Sequence, residues 1–214
     1  MRLTELAIAA LMRLVRPSHG LDEFADQTAR AVQLNQPVLV GATQQQELAL
    51  VLAVAFAESG FRRDVVNCTT RGDRHISPVG SVSAYQLLGP WARQGYSTSA
   101  ICSDHMLATS LAMNVLRAKH AKCRGTIRNI LSAYNTGSCT AETPMVRQSC
   151  MALDKMRLGL RCSDRFGVQV GSLVQLQSGR PQVARSHGQS AEGVRPKKVP
   201  GAVSAIGRSK LGRN

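Results

Sequence analysis

Leu48 to Phe61 is an almost unbroken apolar run that closes in Glu58-Ser59-Gly60-Phe61. Ahead of it, Thr43-Gln44-Gln45-Gln46 fits a capping box, with threonine at the cap and glutamine three residues on. Gly60 is a good residue for the C-terminal end. The run therefore predicts a helix from Gln44 to about Ser59, apolar nearly all round, and such a helix belongs at the centre of a small domain. One carboxylate, Glu58, stands at its end. A solvated face would carry several charges there and a plain core helix none.

The other segments with helical spacing surround this one. Leu21 to Leu34 places Leu21, Phe24, Ala25, Thr28, Ala31 and Val32 on one face and stops near Pro37. Ser103 to about His120, Thr126 to Tyr134 and Thr143 to Leu158 read as further helices, and residues 62 to 83 as loop. No stretch alternates with period two, so the fold class is mostly α. Aromatics make up 4% of the chain, and the core must be mainly aliphatic. The longest uncharged apolar run falls far short of the roughly 20 residues that cross a bilayer, so an integral membrane protein is not expected.

Met1 to Arg16 makes a poor signal peptide, because Glu5 and Arg13 interrupt its apolar core; it reads as an amphipathic opening helix. The six cysteines, Cys68, Cys102, Cys123, Cys139, Cys150 and Cys162, allow fifteen full disulfide pairings in an exported protein. Cys68 with Cys102 would staple the long loop to the start of the next helix, and Cys123 with Cys139 would close the helix that carries Ala133-Tyr134-Asn135. Cys102 and Cys123 are ruled out as a pair, since a helix of about fourteen residues holds its ends about 20 Å apart. The same distance keeps Cys102-x2-His105 and His120-x2-Cys123 from sharing a zinc ion. A thiol nucleophile with His75 or His105 has no local support. There is no phosphate-binding glycine loop, and no metal or cofactor is expected.

The net charge is +14. Residues 166–214 hold eight Lys and Arg against Glu192, and they are rich in Gly, Ser, Pro and Gln. This reads as a disordered polycationic tail, suited to nucleic acid, to an anionic wall or membrane surface, or simply to solubility.

A carboxyl near the C-terminus of a buried helix has its charged form disfavoured by burial and by the helix dipole. Both raise its pKa toward the neutral range that a general acid requires. Two further segments follow in order: Ser83-Ala84-Tyr85-Gln86-Leu87-Leu88 and Ala133-Tyr134-Asn135-Thr136-Gly137. With Glu58-Ser59 and the aromatic Phe61, these resemble the lytic transglycosylase and goose-type lysozyme superfamily, built round the soluble lytic transglycosylase (SLT) domain. There a helix ends in Glu-Ser, a Gly-Leu-Met-Gln motif follows, and a later helix carries Ala-Tyr-Asn and then Gly. The resemblance runs from about Leu21 to Leu160 and implies a lysozyme-like helical domain over 21–165. An N-terminal extension or leading helix (1–20) precedes it, and the basic tail (166–214) follows.

The resemblance implies that Glu58 is the catalytic acid/base, that Tyr134 hydrogen-bonds its carboxyl, and that Ser59, Gln86 and Asn135 contact the substrate or support the cleft. Ser83 replaces the family's glycine and Ala84-Tyr85 its Leu-Met, so Tyr85 either stacks on a sugar ring or fills the core. The implied substrate is the peptidoglycan glycan strand, cut at the β-1,4 bond between N-acetylmuramic acid and N-acetylglucosamine. Most glycosidases use two carboxyls; a transglycosylase uses one, with the substrate's acetamido group and 6-hydroxyl completing the reaction. Goose-type muramidases add aspartates that activate water, which here means Asp64 or Asp73 on the long loop. The expected setting is the periplasm or cell-wall side, or a virion, with the tail held by the wall or by a secretion-machine or virion partner. The rival from another class is a non-catalytic lysozyme-like module whose tail binds nucleic acid or cell wall.

Overall fold

The structure is a computed structural model that describes residues 2–15, 21–68 and 82–167. Among these residues the helices are α1 (Leu3–Leu14), α2 (Asp22–Leu34), α3 (Gln44–Ser59), α4 (Arg63–Val66), α5 (Gly89–Arg93), α6 (Thr98–Ser103), α7 (His105–Cys123), α8 (Ile127–Thr136) and α9 (Pro144–Met156). The described residues contain no β-strands, only isolated bridges. The mostly α class holds, and no described helix is long and apolar enough to cross a membrane.

The apolar run forms α3 as its sequence requires. Thr43 caps it, the Gln46 side chain closes the capping box, and Gly60 ends it in the left-handed conformation (φ 59°). Every residue from Leu48 to Ala55 is buried, which takes neighbours on all sides. α9 packs along α3, and α1, α2 and α7 cover the rest. Burying side chains such as Leu48, Leu50 and Leu52 contributes about 1.5–3 kcal/mol each. α1 is amphipathic and joins the same core through Leu3, Leu6, Ala7, Ala10 and Leu11. The short helices α4, α5 and α6 are absent from the sequence reading, because one or two turns carry too little periodicity to be seen.

All six cysteines form disulfides: Cys68–Cys102, Cys123–Cys139 and Cys150–Cys162, with Cα separations of 5.6, 5.4 and 5.5 Å. The first two are the pairings that the sequence suggested as staples. Three disulfides are compatible with an exported protein. They also remove every thiol from nucleophilic or metal-binding roles.

Between α4 and α5, Val82 and Leu87 exchange backbone hydrogen bonds (3.2 and 2.8 Å) and close a four-residue turn. Ser83 (φ 67°) and Gln86 (φ 48°) are both left-handed in it. At this φ Ser83 occupies a backbone conformation that favours glycine. A non-glycine residue in this region costs about 1–2 kcal/mol, partly offset by the extra unfolded-state entropy of glycine. Ser83→Gly is expected to stabilise the fold by about 0.5–1 kcal/mol in urea unfolding, and destabilisation would show that the buried hydroxyl matters more.

Candidate active site

The three sequence motifs meet at the C-terminal end of α3. Glu58 lies in its last turn, half-buried. Gly60 and Phe61 follow with φ of 59° and 51°, so two left-handed residues in succession reverse the chain. Phe61 tolerates this because its ring is fully buried between Phe24 and Phe56, each 5.7 Å away. Left-handed backbone at Phe61, Ser83 and Gln86 flanks the two loop motifs. Such strain persists only where surrounding structure over-determines it, and it tends to gather at functional sites.

Two consecutive residues of α8 join the motifs. Tyr134 donates its hydroxyl proton to the Tyr85 carbonyl (2.8 Å) and so holds the turn of residues 82–87. Asn135 points its amide nitrogen at Glu58 Oε1, at 3.5 Å. That amide is itself held: Thr143 Oγ1 donates to Asn135 Oδ1 (2.9 Å), and Met145 Sδ accepts from Nδ2 (2.9 Å). Thr143 is also the N-cap of α9, accepting from the Val146 amide. Sequence reasoning placed Thr143 at a helix start but missed its reach to Asn135; a cap residue at the site's edge was the available signal.

Two bonds differ from the sequence reading, at Tyr134 and Ser59, and the choice left open at Tyr85 is decided. Tyr134 was expected to hydrogen-bond Glu58, yet its only proton goes to Tyr85, where a tight turn leaves a carbonyl to be satisfied. Tyr85 is core and not a sugar platform. Its side chain is 0% exposed, its hydroxyl pairs with Thr109 Oγ1 (3.0 Å), and its ring lies 6.2 Å from that of Phe24. Ser59 is buried and spends its hydroxyl locally, donating to the Ala55 carbonyl (2.6 Å) and accepting from the Phe61 amide (3.1 Å). It builds the helix end in place of a substrate contact. Gln86 is half-buried, with Nε2 turned back onto the Ser83 carbonyl (3.0 Å).

Asp64 is clasped by Arg62 (2.6 Å), which keeps its pKa below the usual carboxylate range. It is a half-buried, ion-paired aspartate. Asp73 and His75 lie outside the described residues, as does the tail beyond residue 167. His105 packs edge-on against Phe24, 5.4 Å away, and burial lowers its pKa. Among the described residues no three His, Cys, Asp or Glu side chains gather as a metal site.

Burial pushes the Glu58 carboxyl up from 4.5 to about 7, against the opposing pull of the Asn135 amide. Burial and the nearby Glu58 charge hold the Tyr134 phenol well above its ordinary range, so it stays neutral. A second buried carboxylate, Glu47, lies at the other end of α3, and burial raises its pKa too. The two differ in what they touch. Glu47 accepts from the Val38 and Leu39 amides (3.0 and 2.6 Å), so both its oxygens are occupied. Among the described residues Glu58 meets a single amide group. The first carboxylate is built into the fold, and the second keeps a proton available near neutral pH.

Comparison with protein-family models, curated proteins and solved structures finds no match for this chain.

Proposed function

We propose that the chain is a peptidoglycan lytic transglycosylase with Glu58 as its single acid/base. The observation that carries this reading is the Glu58 carboxyl, raised to about 7 by burial at the end of α3 and faced by Asn135. The motif order adds to it, as does the meeting of the motifs through Tyr134 and Asn135.

In the first step the protonated Glu58 gives its proton to the glycosidic oxygen as the C1–O bond of N-acetylmuramic acid breaks. The carbonyl oxygen of the substrate's 2-acetamido group bonds to C1 and takes up the developing positive charge. The Glu58 carboxylate then removes the 6-hydroxyl proton, O6 bonds to C1, and the acetamido oxygen leaves. Glu58 ends protonated, no water is consumed, and the product is a 1,6-anhydro sugar. Asn135 favours the carboxylate that the first step creates. Tyr134, neutral and with its proton engaged at Tyr85, has lone pairs with which to accept from a protonated carboxyl.

The distribution of cations suits an anionic wall. Gln46 binds the Gly159 carbonyl at the start of α3, so the segment after α9 lies at the far end of α3 from Glu58. There, among the described residues, Arg13, Lys155, Arg157 and Arg161 line two adjoining grooves of about 590 and 550 Å³ with a single acid, Asp154.

The test is mass spectrometry of the muropeptides that the full chain releases from purified sacculi. Anhydro-muramyl ends are expected. Reducing ends, one water heavier, would assign a muramidase and direct attention to Asp73. No release by the wild-type chain would favour a non-catalytic binding module. Because the first step needs the acid form, kcat/KM is expected to fall about tenfold per pH unit above pH 7. A profile flat from pH 6 to 9 would remove Glu58 from that step.

A further inference from the structure

We propose that Thr143 is a positioning residue for this site: by donating its hydroxyl proton to Asn135 Oδ1, it fixes which end of that amide faces Glu58. This rests on the reading of Glu58 as proton donor.

An asparagine amide presents two ends of nearly the same shape and opposite polarity. Beside a titrating carboxyl they act in opposite directions, because the N–H end favours the carboxylate and the oxygen end favours the acid. Asn135 shows its N–H end to Glu58 (3.5 Å), so something must hold it there. Met145 contributes a thioether acceptor at 2.9 Å, a weak partner. Thr143 supplies the stronger constraint. One lone pair of its oxygen accepts from Val146 N–H (3.2 Å) as the cap of α9, and its proton points at Asn135 Oδ1 (2.9 Å). A flipped amide would leave that proton without its acceptor and would turn Oδ1 toward the Glu58 carboxylate and the Met145 sulfur. Pro144, at the first position of α9, narrows the backbone freedom next to the cap. One hydroxyl thus serves the helix and the site together.

Of the groups that bear on Glu58, Tyr134 on α8 is titratable and stays neutral. Asn135, with Thr143 and Met145 reaching it from α9, is uncharged. The loop residues Arg71, Asp73, Arg74 and His75 lie outside the described residues.

The experiment uses the full chain with Thr143→Gly, Thr143→Ala and Thr143→Ser. Glycine is a tolerated cap and alanine a poor one, but both delete the hydroxyl, whereas serine keeps it. The Glu58 side-chain carboxyl is titrated by 13C NMR, with Glu58→Gln assigning its resonance. In the glycine and alanine variants the midpoint is expected to move upward by about half a unit or more, because the stabilising N–H is no longer held in place. The serine variant should titrate like wild type. The alkaline limb of the pH–rate profile on sacculi should move with the midpoint. A midpoint that stays in place or falls, in either folded variant lacking the hydroxyl, overturns the proposal. The NMR titration needs no turnover, so inactivity of the wild-type chain would reject the proposed function while the titration still decides the role of Thr143.

Discussion

Glu58→Gln is expected to lower sacculus cleavage by about 10³-fold or more, since a positioned general acid contributes on this scale. The same change is expected to stabilise the protein at alkaline pH. The folded-state pKa of about 7 lies above the ordinary glutamate value of 4.5. Folding therefore takes up a proton between those pH values. The stability contribution is full below pH 4.5, declines across the window, and reaches its low plateau above pH 7. A shift of this size corresponds to about 3 kcal/mol. Glutamine keeps the neutral shape and an oxygen to accept from Asn135, so at pH 8 the variant should exceed wild type by up to that amount. Both curves also carry the raised titration of Glu47, and the difference between them isolates Glu58. Urea unfolding at pH 4 and pH 8 measures it. Equal stability at both pH values would mean that Glu58 reaches water, and the case for a neutral-pH acid would fall with it.

That opposition between stability and activity also marks what the sequence could reveal. An acid at the end of an all-round apolar helix is conspicuous in one dimension, and its caps at Thr43 and Gly60 can be read from spacing alone. The pairings Cys68–Cys102 and Cys123–Cys139 were only suggested, as staples of the long loop and of the Ala-Tyr-Asn helix, because helix length excludes Cys102 from Cys123 and leaves the other pairings open. The side-chain directions inside the turn of residues 82–87 were not. Left-handed backbone at Ser83 and Gln86 reorients the chain residue by residue, and this buries Tyr85 while keeping Gln86 half-exposed. No periodicity encodes such a turn. Ser59 was misassigned because a serine near a helix end has two kinds of partner. Its nearest acceptor, the Ala55 carbonyl one turn back, takes the proton. Asn135 was singled out by its motif, whereas its hydrogen-bond partner Thr143 caps the next helix and is joined to it only by the fold.

Glu47 escaped notice for the opposite reason to Glu58. It follows Gln44-Gln45-Gln46 in what reads as a solvated first turn, yet residues 38 and 39 fold over it and leave it 3% exposed. Its two oxygens take the Val38 and Leu39 amides, while His120 Nδ1 lies 2.9 Å from the Val38 carbonyl. A carbonyl only accepts, so Nδ1 carries the proton, and the buried Nε2 has no hydrogen-bond partner among the described residues. Glu47 of α3 and His120 of α7 thus hold residues 38 and 39 between them, beside the bonds from Arg117 to the Gln36 carbonyl and from the Val40 amide to the Gly167 carbonyl. Glu47→Gln is expected to be the costlier of the two conservative glutamate changes. One amide oxygen can replace one carboxylate oxygen, but the new NH₂ group then faces a backbone N–H, donor against donor. Leaving a buried donor unsatisfied and losing a charge-assisted bond together cost about 3–4 kcal/mol. Glu47→Gln should therefore unfold at markedly lower urea concentration than wild type at pH 7, whereas Glu58→Gln should not. Hydrogen exchange should locate the loss at the Val38 and Leu39 amides first. If Glu47→Gln proves as stable as wild type, these amides must have another acceptor, and the contrast between a structural and a chemical glutamate on α3 would no longer hold.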